Sequence, residues 1–177
     1  TTRVVNIVET TAPQITSNPN FTAYENQSEI GEVLAFDLSP VITFTVSGSE
    51  IAITSAGVLT FVSAPDYETK STYTATVTAT DGTNPTTQNI TINVTNVNEA
   101  PVITNFANIL STEENQVNVY QVNAQDYEGD SIFYSISGTD KSFFNISSSG
   151  LVTFKTAPDY ENPLDSGSNN SYSININ

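Results

Sequence analysis

The stretch AGVLTFVSAPDYE, residues 56–68, decides the fold, because it recurs as SGLVTFKTAPDYE at residues 149–161. Two shorter matches keep the same order: AYENQ at 23–27 with TEENQ at 112–116, and APQIT at 12–16 with APVIT at 100–104. Several matches in one order and at one spacing indicate an internal repeat. The spacing of roughly 90 residues is close to the length of an immunoglobulin-like sandwich.

The repeated segments carry the pattern of β-strands. In TYTATVTAT, residues 72–80, apolar side chains alternate with threonines, which is typical of a strand with one buried face. SYSININ, residues 171–177, repeats this alternation. Gly, Pro, Asn and Asp separate such short segments, and no helical periodicity is sustained. The sequence therefore predicts an all-β chain with two tandem antiparallel sandwiches.

The ends of the chain do not coincide with the ends of the repeats. TRVVNIVETTAPQI at the start aligns with TINVTNVNEAPVI, so residues 1–11 are predicted to be the terminal strand and linker of a preceding domain. Domain 1 is then assigned to residues 12–99 and domain 2 to residues 100–177. The second copy stops before the counterpart of Asp81, so domain 2 is predicted to lack its last strand and to expose a sheet edge.

The composition excludes several classes of function. Four basic residues stand against 19 acidic ones, a formal charge of −15, so nucleic acid and anionic membranes are not expected partners. The chain has no Cys and no His, which removes thiolate metal sites and the commonest general base. No apolar run reaches membrane-spanning length. The net negative charge instead favours cations as binding partners.

The acidic residues gather at turns. DYEGD, residues 126–130, offers three carboxylates at alternate positions with a glycine for the turn. Ca²⁺ is a hard cation that takes six to eight oxygen ligands, which such turns supply. A solvated loop is the alternative for each turn alone, but their recurrence in both repeats favours cation binding. The residues concerned are Glu25, Asp66, Glu68 and Asp81 in the first repeat, and Glu114, Asp126, Glu128, Asp130, Asp159 and Glu161 in the second.

The ordered series of EN, D-x-E-G-D, GxLTF, PDYE, ATDG and VNEAP resembles bacterial cadherin-like tandem repeats over residues 12–177. The opening RVVNIVETTAP is similar to the exit strand of a bacterial immunoglobulin-like domain. The resemblance implies seven-stranded Greek-key sandwiches with Ca²⁺ at each junction between domains.

The same resemblance implies three sets of metal ligands. The central junction would use Glu25, Asp66, Glu68, Asn96, Asn98, Glu99, Asp126, Glu128 and Asp130. The upper junction would have only Asp37 and Asp81, because DLSPV replaces the acidic turn there, and is expected to be metal-poor. Glu114, Asp159 and Glu161 would serve a lower junction with a further domain.

These features predict calcium-rigidified extracellular spacer and adhesion repeats of a large bacterial cell-surface or secreted protein. The expected partners are neighbouring domains, a surface glycan or protein, and further copies through head-to-tail or edge-strand association. The alternative is a carbohydrate-binding or accessory module of a secreted enzyme. A glycosidase using Asp66 with Glu68, or Asp159 with Glu161, is disfavoured because both repeats carry the pair. We therefore expect no enzymatic activity.

Overall fold

The computed structural model describes residues 3–4, 10–39 and 41–177. The strand predicted within residues 1–11 lies largely outside these residues. The chain divides into two compact units, the first ending at Val97 and the second running from Asn98 to Asn177; the domain boundary predicted after residue 99 stays a prediction. The described residues form strands and a single 3₁₀ turn, Lys141–Phe143, with no α-helix. The all-β prediction is confirmed.

The described part of the first unit is a β-sandwich of nine strands. They are β1 (Gln14–Ile15), β2 (Asn20–Tyr24), β3 (Glu29–Glu32), β4 (Ala35–Phe36), β5 (Thr43–Val46), β6 (Ile51–Ile53), β7 (Val58–Phe61), β8 (Thr72–Thr80) and β9 (Pro85–Thr95). One sheet has the order β2-β9-β8-β5, another β3-β7-β6, and β1 pairs with β4. The β2–β9 pair is parallel and the other pairs are antiparallel.

Apolar and polar side chains alternate along β8 and β9, and the apolar ones form much of the core of this unit. Val77 and Ala79 are fully buried, whereas the threonines of the same strand point away from the core. The other face carries cross-strand pairs such as Thr74 opposite Thr91 and Thr78 opposite Thr87, a pairing that suits β-branched residues. The buried core comprises Ala23, Ile30, Val33, Ile51, Leu59, Phe61, Val77, Ile90, Ile92 and Val94.

The second unit has the same plan with fewer and shorter strands. They are β10 (Val102–Ile103), β11 (Asn118–Gln121), β12 (Ala124–Gln125), β13 (Ile136–Ser137), β14 (Phe144–Ile146), β15 (Leu151–Phe154) and β16 (Asn175–Ile176). The sheets are β11-β15-β14, β10-β12 and β13-β16. The core is aromatic, with Tyr172 edge-on to both Phe144 and Phe154 at ring distances of 5.6 and 5.1 Å. Strand β16 is the last strand among the described residues, and the absence of a final strand from this domain stays a prediction.

A glycine holds the same turn in both units. Gly57 and Gly150 have φ angles of +96° and +84°, which only glycine adopts without strain. The N–H of Val33 donates to the Gly57 carbonyl at 2.8 Å, and the N–H of Val122 donates to that of Gly150 at 2.9 Å. A Cβ at either glycine would overlap the carbonyl oxygen of its partner residue. The repeated G of the sequence therefore reflects a close backbone approach.

We predict that Gly57→Ala destabilises the first unit by about 2 kcal/mol or more, because backbone strain adds to the clash. The matched control is Gly82→Ala, since Gly82 has a φ of +97° but nothing within 4 Å of its added Cβ. Urea denaturation should show a larger loss of unfolding free energy for Gly57→Ala. Equal losses in the two variants would contradict the close approach.

Candidate metal centre

Three carboxylates of the first unit meet at one end of its sandwich. Glu25 directly follows β2 and is only 3% exposed, while Asp66 and Glu68 belong to the exposed PDYE turn after β7. Each offers an oxygen, and these three oxygens lie within 4.8 Å of one another. We call this group the first acidic cluster. Two segments distant in sequence thus supply a compact set of oxygen ligands.

Backbone hydrogen bonds hold Glu25 in this position. Its Oε2 accepts from the N–H of Tyr67 at 2.8 Å, and its Oε1 accepts from the N–H of Val97 at 2.7 Å. The next residue, Asn26, has a φ of +62° and donates its N–H to the carbonyl of Pro65 at 2.9 Å. Asn tolerates this left-handed conformation better than most residues. A carboxylate oxygen has two lone pairs, so both oxygens of Glu25 retain capacity for a cation.

The two exposed members of the cluster also accept hydrogen bonds. Asp66 accepts from the N–H and from the hydroxyl of Thr69, each at 3.0 Å. Glu68 accepts at 2.7 Å from the side-chain amide of Asn96, which places one predicted linker ligand beside the cluster. Outside the cluster, Lys70 forms an ion pair with Glu50 at 2.6 Å.

The second unit repeats the arrangement with Glu114, Asp159 and Glu161, the second acidic cluster, whose oxygens also lie within 4.8 Å. Glu114 Oε2 accepts from the N–H of Tyr160 at 3.0 Å, as Glu25 does from Tyr67. Asn115 has a φ of +59° and donates to Pro158 at 2.9 Å, as Asn26 does to Pro65. Here all three carboxylates are exposed. The EN and PDYE motifs therefore fold in the same way in both units.

The DYEGD turn of the second unit organises its own backbone. Asp126 Oδ1 accepts from the N–H of Asp130 at 2.9 Å, and Gly129 has a φ of +81°. Glu128 Oε2 accepts from the N–H of Glu99 at 3.4 Å, while its Oε1 is buried without a hydrogen-bond partner. Neither Asp126 nor Asp130 belongs to one of the three-carboxylate groups.

The neighbouring linker residue Asn98 donates from its side-chain amide to the Glu99 carbonyl at 3.4 Å. Its side chain is exposed. The role of Asn98 as a metal ligand therefore stays a prediction.

The two acids predicted for the upper junction are used differently. Both Asn84 and Thr83 donate their N–H groups to Asp81 Oδ1 at 2.6 Å, and these bonds, that of Asn84 most, lower the pKa of Asp81. Asp37 Oδ1 accepts from the N–H of Ser39 at 3.3 Å, and its Oδ2 is buried without a partner. Neither acid belongs to a three-carboxylate group. The metal-poor upper junction stays a prediction.

Two buried carboxylates escaped the sequence analysis. Asp140 is 2% exposed and Asp165 4% exposed, although Asp165 lies in the polar segment NPLDSGSNNS, residues 162–171. Asp165 accepts N–H groups from Gly167, Asn169 and Asn170 at 2.9–3.2 Å. The order Asp-Ser-Gly-Ser-Asn is typical of a turn built around an aspartate, and this is the signal that could have identified it.

Asp140 ties this loop to the rest of the unit. Its two oxygens accept from the N–H groups of Ser166 and Ser173, both at 2.8 Å. The carboxylates of the loop are therefore surrounded by N–H donors, whereas those of the two acidic clusters also face each other. Carboxylates that face one another repel, and a bound cation would relieve that repulsion.

The donor set of the clusters fits a hard divalent cation. All the ligand atoms are carboxylate or amide oxygens, which suit Ca²⁺ or Mg²⁺, and the chain has no Cys or His to bind softer metals. The carboxylates are mostly exposed and come from separate segments, which suits the adaptable coordination of Ca²⁺ better than the strict octahedron of Mg²⁺.

The fold is similar to that of cadherin ectodomain repeats. Human protocadherin-24 EC1-2 matches in two structures, one (form II) with a TM-score of 0.56, 22% identity and coverage of 84% of this chain and 81% of that one. The other gives a TM-score of 0.54, 22% identity and coverage of 94% and 93%. Drosophila N-cadherin EC1-4 gives a TM-score of 0.54, 23% identity and coverage of 94% of this chain and 45% of that one. The chain thus has a cadherin-like β-sandwich fold.

No protein-family model and no curated protein matches the sequence. Within the described part of the chain, no helix has the length and apolar character needed to cross a membrane.

We predict that Asp165 contributes to stability in a pH-dependent way. Burial raises its pKa, but the N–H groups of Asn169, Asn170 and Gly167 together lower it below the ordinary 3.8. The folded state therefore binds this proton less tightly than the unfolded state does. Its contribution is present above the ordinary pKa and is lost as the pH falls through the lowered one.

Asp165→Asn should lower the unfolding free energy at neutral pH and make its loss on acidification shallower. Denaturant titrations at neutral pH and at about pH 3 measure both effects. Asp130→Asn is the control, because Asp130 is exposed, and chelator should be present throughout. The same pH profile in Asp165→Asn and the unsubstituted protein would contradict the assignment.

Proposed function

We propose that this chain consists of calcium-rigidified repeats that act as spacers and adhesion modules of a large bacterial cell-surface or secreted protein. The observation that supports this best is the recurrence of the three-carboxylate cluster, with the same hydrogen bond from the PDYE turn to its glutamate, in both units. An enzyme has little use for two copies of one active site, whereas serial junctions need one ion site each. The proposal includes no catalytic activity.

The proposed central junction draws its ligands from both units and from the linker between them. The first unit would supply the first acidic cluster, and the linker NVNEAP, residues 96–101, would supply amide and carboxylate oxygens. The DYEGD turn would complete the set. The full proposed set is Glu25, Asp66, Glu68, Asn96, Asn98, Glu99, Asp126, Glu128 and Asp130.

The proposed ion would stabilise the fold by reducing the repulsion between the clustered carboxylates. Two unit charges 4 Å apart repel by about 1 kcal/mol in water and by about 4 kcal/mol at the effective dielectric constant of a protein surface. Glu25 is buried and hydrogen-bonded through backbone N–H groups, so it cannot turn away from its neighbours without losing those bonds. A bound Ca²⁺ supplies compensating positive charge. At a concentration one hundredfold above its dissociation constant, it would stabilise the fold by about 2.7 kcal/mol per site.

The composition of the linker is consistent with a junction that becomes rigid only when metal is bound. Pro101 has a fixed φ angle, and the residues before it carry oxygen-bearing side chains instead of the glycine and serine of a flexible tether. Extracellular calcium modules have dissociation constants of roughly 10⁻⁴ to 10⁻³ M, which suits partly exposed clusters such as these. We therefore place the protein outside the cell, at the surface or secreted.

The remaining acids fit the same scheme. The second acidic cluster is proposed to serve a lower junction with a neighbouring domain, and Asp37 with Asp81 a metal-poor upper one. The partners of the chain are then neighbouring domains of the same kind and a surface glycan or protein.

A carbohydrate-binding module is the second candidate, because several aromatic side chains are exposed and aromatic rings can stack on sugars. They are Tyr24, Phe36, Tyr67, Phe106, Tyr127, Phe133 and Tyr160. Glycan-array binding that persists in chelator would favour this candidate.

We predict that millimolar Ca²⁺ raises the melting temperature and that chelator reverses the rise. Glu68→Gln should weaken calcium binding by at least about tenfold, since even changes in outer-shell residues of metal sites cost that much. This variant removes one charge but keeps an oxygen for the amide of Asn96. Calorimetry of calcium binding measures the effect.

The matched control is Glu32→Gln, which removes an exposed charge on β3 outside the cluster. It should bind calcium as the unsubstituted protein does. Equal losses in both variants would indicate a general charge effect and not a site.

The proposed calcium clamp, in which bound ions fix the linker between the two units, leads to a separate prediction. Solution scattering should show a narrower distribution of interdomain distances in millimolar Ca²⁺ than in chelator, because the ion would hold the linker in one conformation. Identical scattering profiles under both conditions would refute the clamp.

A further inference from the structure

The second unit carries a longer loop than the first directly after its PDYE motif. Tyr67 and Tyr73 of the first unit are six positions apart, whereas their counterparts Tyr160 and Tyr172 are twelve apart. The extra residues belong to NPLDSGSNNS, residues 162–171, which we call the inserted loop. This loop therefore begins immediately after the last residue of the second acidic cluster.

One buried carboxylate gives the inserted loop its shape. Asp165 is 4% exposed. It accepts three backbone N–H groups at 2.9–3.2 Å, those of Gly167, Asn169 and Asn170. Ser168 and Asn170 have φ angles of +47° and +62°, which are typical of tight turns. Because a buried carboxylate needs these donors, the loop is held in one conformation.

A second buried carboxylate anchors the inserted loop to the rest of the unit. Asp140 lies outside the loop and is 2% exposed. Its Oδ1 accepts the N–H of Ser166, and its Oδ2 accepts the N–H of Ser173, both at 2.8 Å. The N–H of Asp140 also donates to the Ser173 carbonyl at 3.1 Å. The two ends of the turn are thus fixed to one residue inside the fold.

The inserted loop contacts the second acidic cluster through Asn170. The side-chain amide of Asn170 donates to the carbonyl of Tyr160 at 2.9 Å, and the N–H of Tyr160 donates to Glu114 Oε2 at 3.0 Å. Tyr160 lies in sequence between Asp159 and Glu161, the other two members of the cluster. Both peptide groups that flank Tyr160 are therefore fixed by hydrogen bonds, one of them by the loop.

We propose that the inserted loop positions the second acidic cluster, and that Asn170 is the positioning residue through which the loop raises the affinity of this cluster for Ca²⁺. This role rests on the proposed function, in which the cluster binds the ion. All three carboxylates are exposed, so their arrangement without metal depends on the backbone that carries them. A backbone that is already fixed loses less conformational entropy when the ion binds.

The corresponding turn of the first unit is held in a different way. The N–H of Lys70 donates to the Asp66 carbonyl at 2.9 Å, and the N–H of Thr69 donates to Asp66 Oδ1 at 3.0 Å. These contacts stay within five consecutive residues, whereas Asn170 supports Tyr160 from ten positions away. The first unit is therefore an internal control for changes in the inserted loop.

Asn170→Gly tests the contact without straining the backbone. It removes the amide that donates to Tyr160 and changes no charge, and glycine adopts the positive φ of this position freely. The matched control is Ser168→Gly, because Ser168 lies in the same loop, has a positive φ and is exposed. Both variants give the unfolded chain more freedom, so a difference between them reports the Asn170 side chain.

The first readout is amide hydrogen exchange, measured by NMR in chelator. The amides of Tyr160 and Tyr67 each donate to the glutamate of their own cluster, so each amide reports on one cluster. Asn170→Gly should speed the exchange of the Tyr160 amide by about fivefold, the effect of losing one hydrogen bond, and leave Tyr67 unchanged. Ser168→Gly should leave both amides unchanged.

The second readout is a calcium titration followed through the chemical shifts of the same two amides. Asn170→Gly should raise the dissociation constant measured at Tyr160 by roughly tenfold, as changes in outer-shell residues do at other metal sites. The dissociation constant measured at Tyr67 should stay the same. Ser168→Gly should change neither value.

Each contrary result has a distinct meaning. Unchanged exchange at Tyr160 would overturn the positioning, and faster exchange with an unchanged dissociation constant would overturn its effect on ion binding. Equal effects of Asn170→Gly and Ser168→Gly would overturn the role of the Asn170 amide. Calcium shifts confined to Tyr67 in the unsubstituted protein would overturn this inference alone. If calcium shifts neither amide, the proposed function fails and this inference fails with it.

Discussion

One hydrogen bond recurs at the same end of each sandwich. It runs from the backbone of the PDYE turn to the carboxylate of the EN motif, and it helps to hold these two segments together. In the first unit it joins Tyr67 to Glu25, which are 42 residues apart, and in the second it joins Tyr160 to Glu114, which are 46 apart. A second backbone bond joins the same two segments in each unit, from Asn26 to Pro65 and from Asn115 to Pro158. Together these bonds bring two separate acidic segments into one cluster.

Because the acceptor of that bond is itself charged, the same contact that organises the turn also creates an electrostatic cost. Elsewhere the chain avoids this cost by surrounding a carboxylate with N–H groups, as at Asp140 and Asp165. At the clusters, carboxylate oxygens from three acids lie within 4.8 Å of one another. This difference is the physical basis for proposing a cation at the clusters and not at Asp140 or Asp165.

Much of the fold and of the candidate site could be predicted from local patterns, because the chain contains two copies of the same unit that can be compared with each other. The recurring glycine, EN and PDYE positions all correspond to backbone contacts that need those residues. Strands β8 and β9 follow their alternating sequence closely. The repeat of that pattern at residues 171–177 yields only Asn175–Ile176 as a strand, because strand length depends on a neighbour that local sequence does not specify.

The buried acids were missed for a related reason. Whether Asp165 is inside or outside depends on its loop folding back over it, which is a tertiary property and not one of composition. Assignment of the ligands at the acidic turns likewise requires knowing which turns meet. Local chemistry identifies the oxygen donors, whereas their convergence is decided by the long-range pairing of strands.

The parallel pairing of β2 with β9 has a mechanical consequence. These strands lie near the two ends of the first unit in sequence, so tension applied through the chain termini pulls them in opposite directions along their own length. Their interstrand hydrogen bonds are then stretched in shear and must break together, instead of opening one after another as in a peeled hairpin. A unit connected in this way resists extension even though each of its bonds is weak.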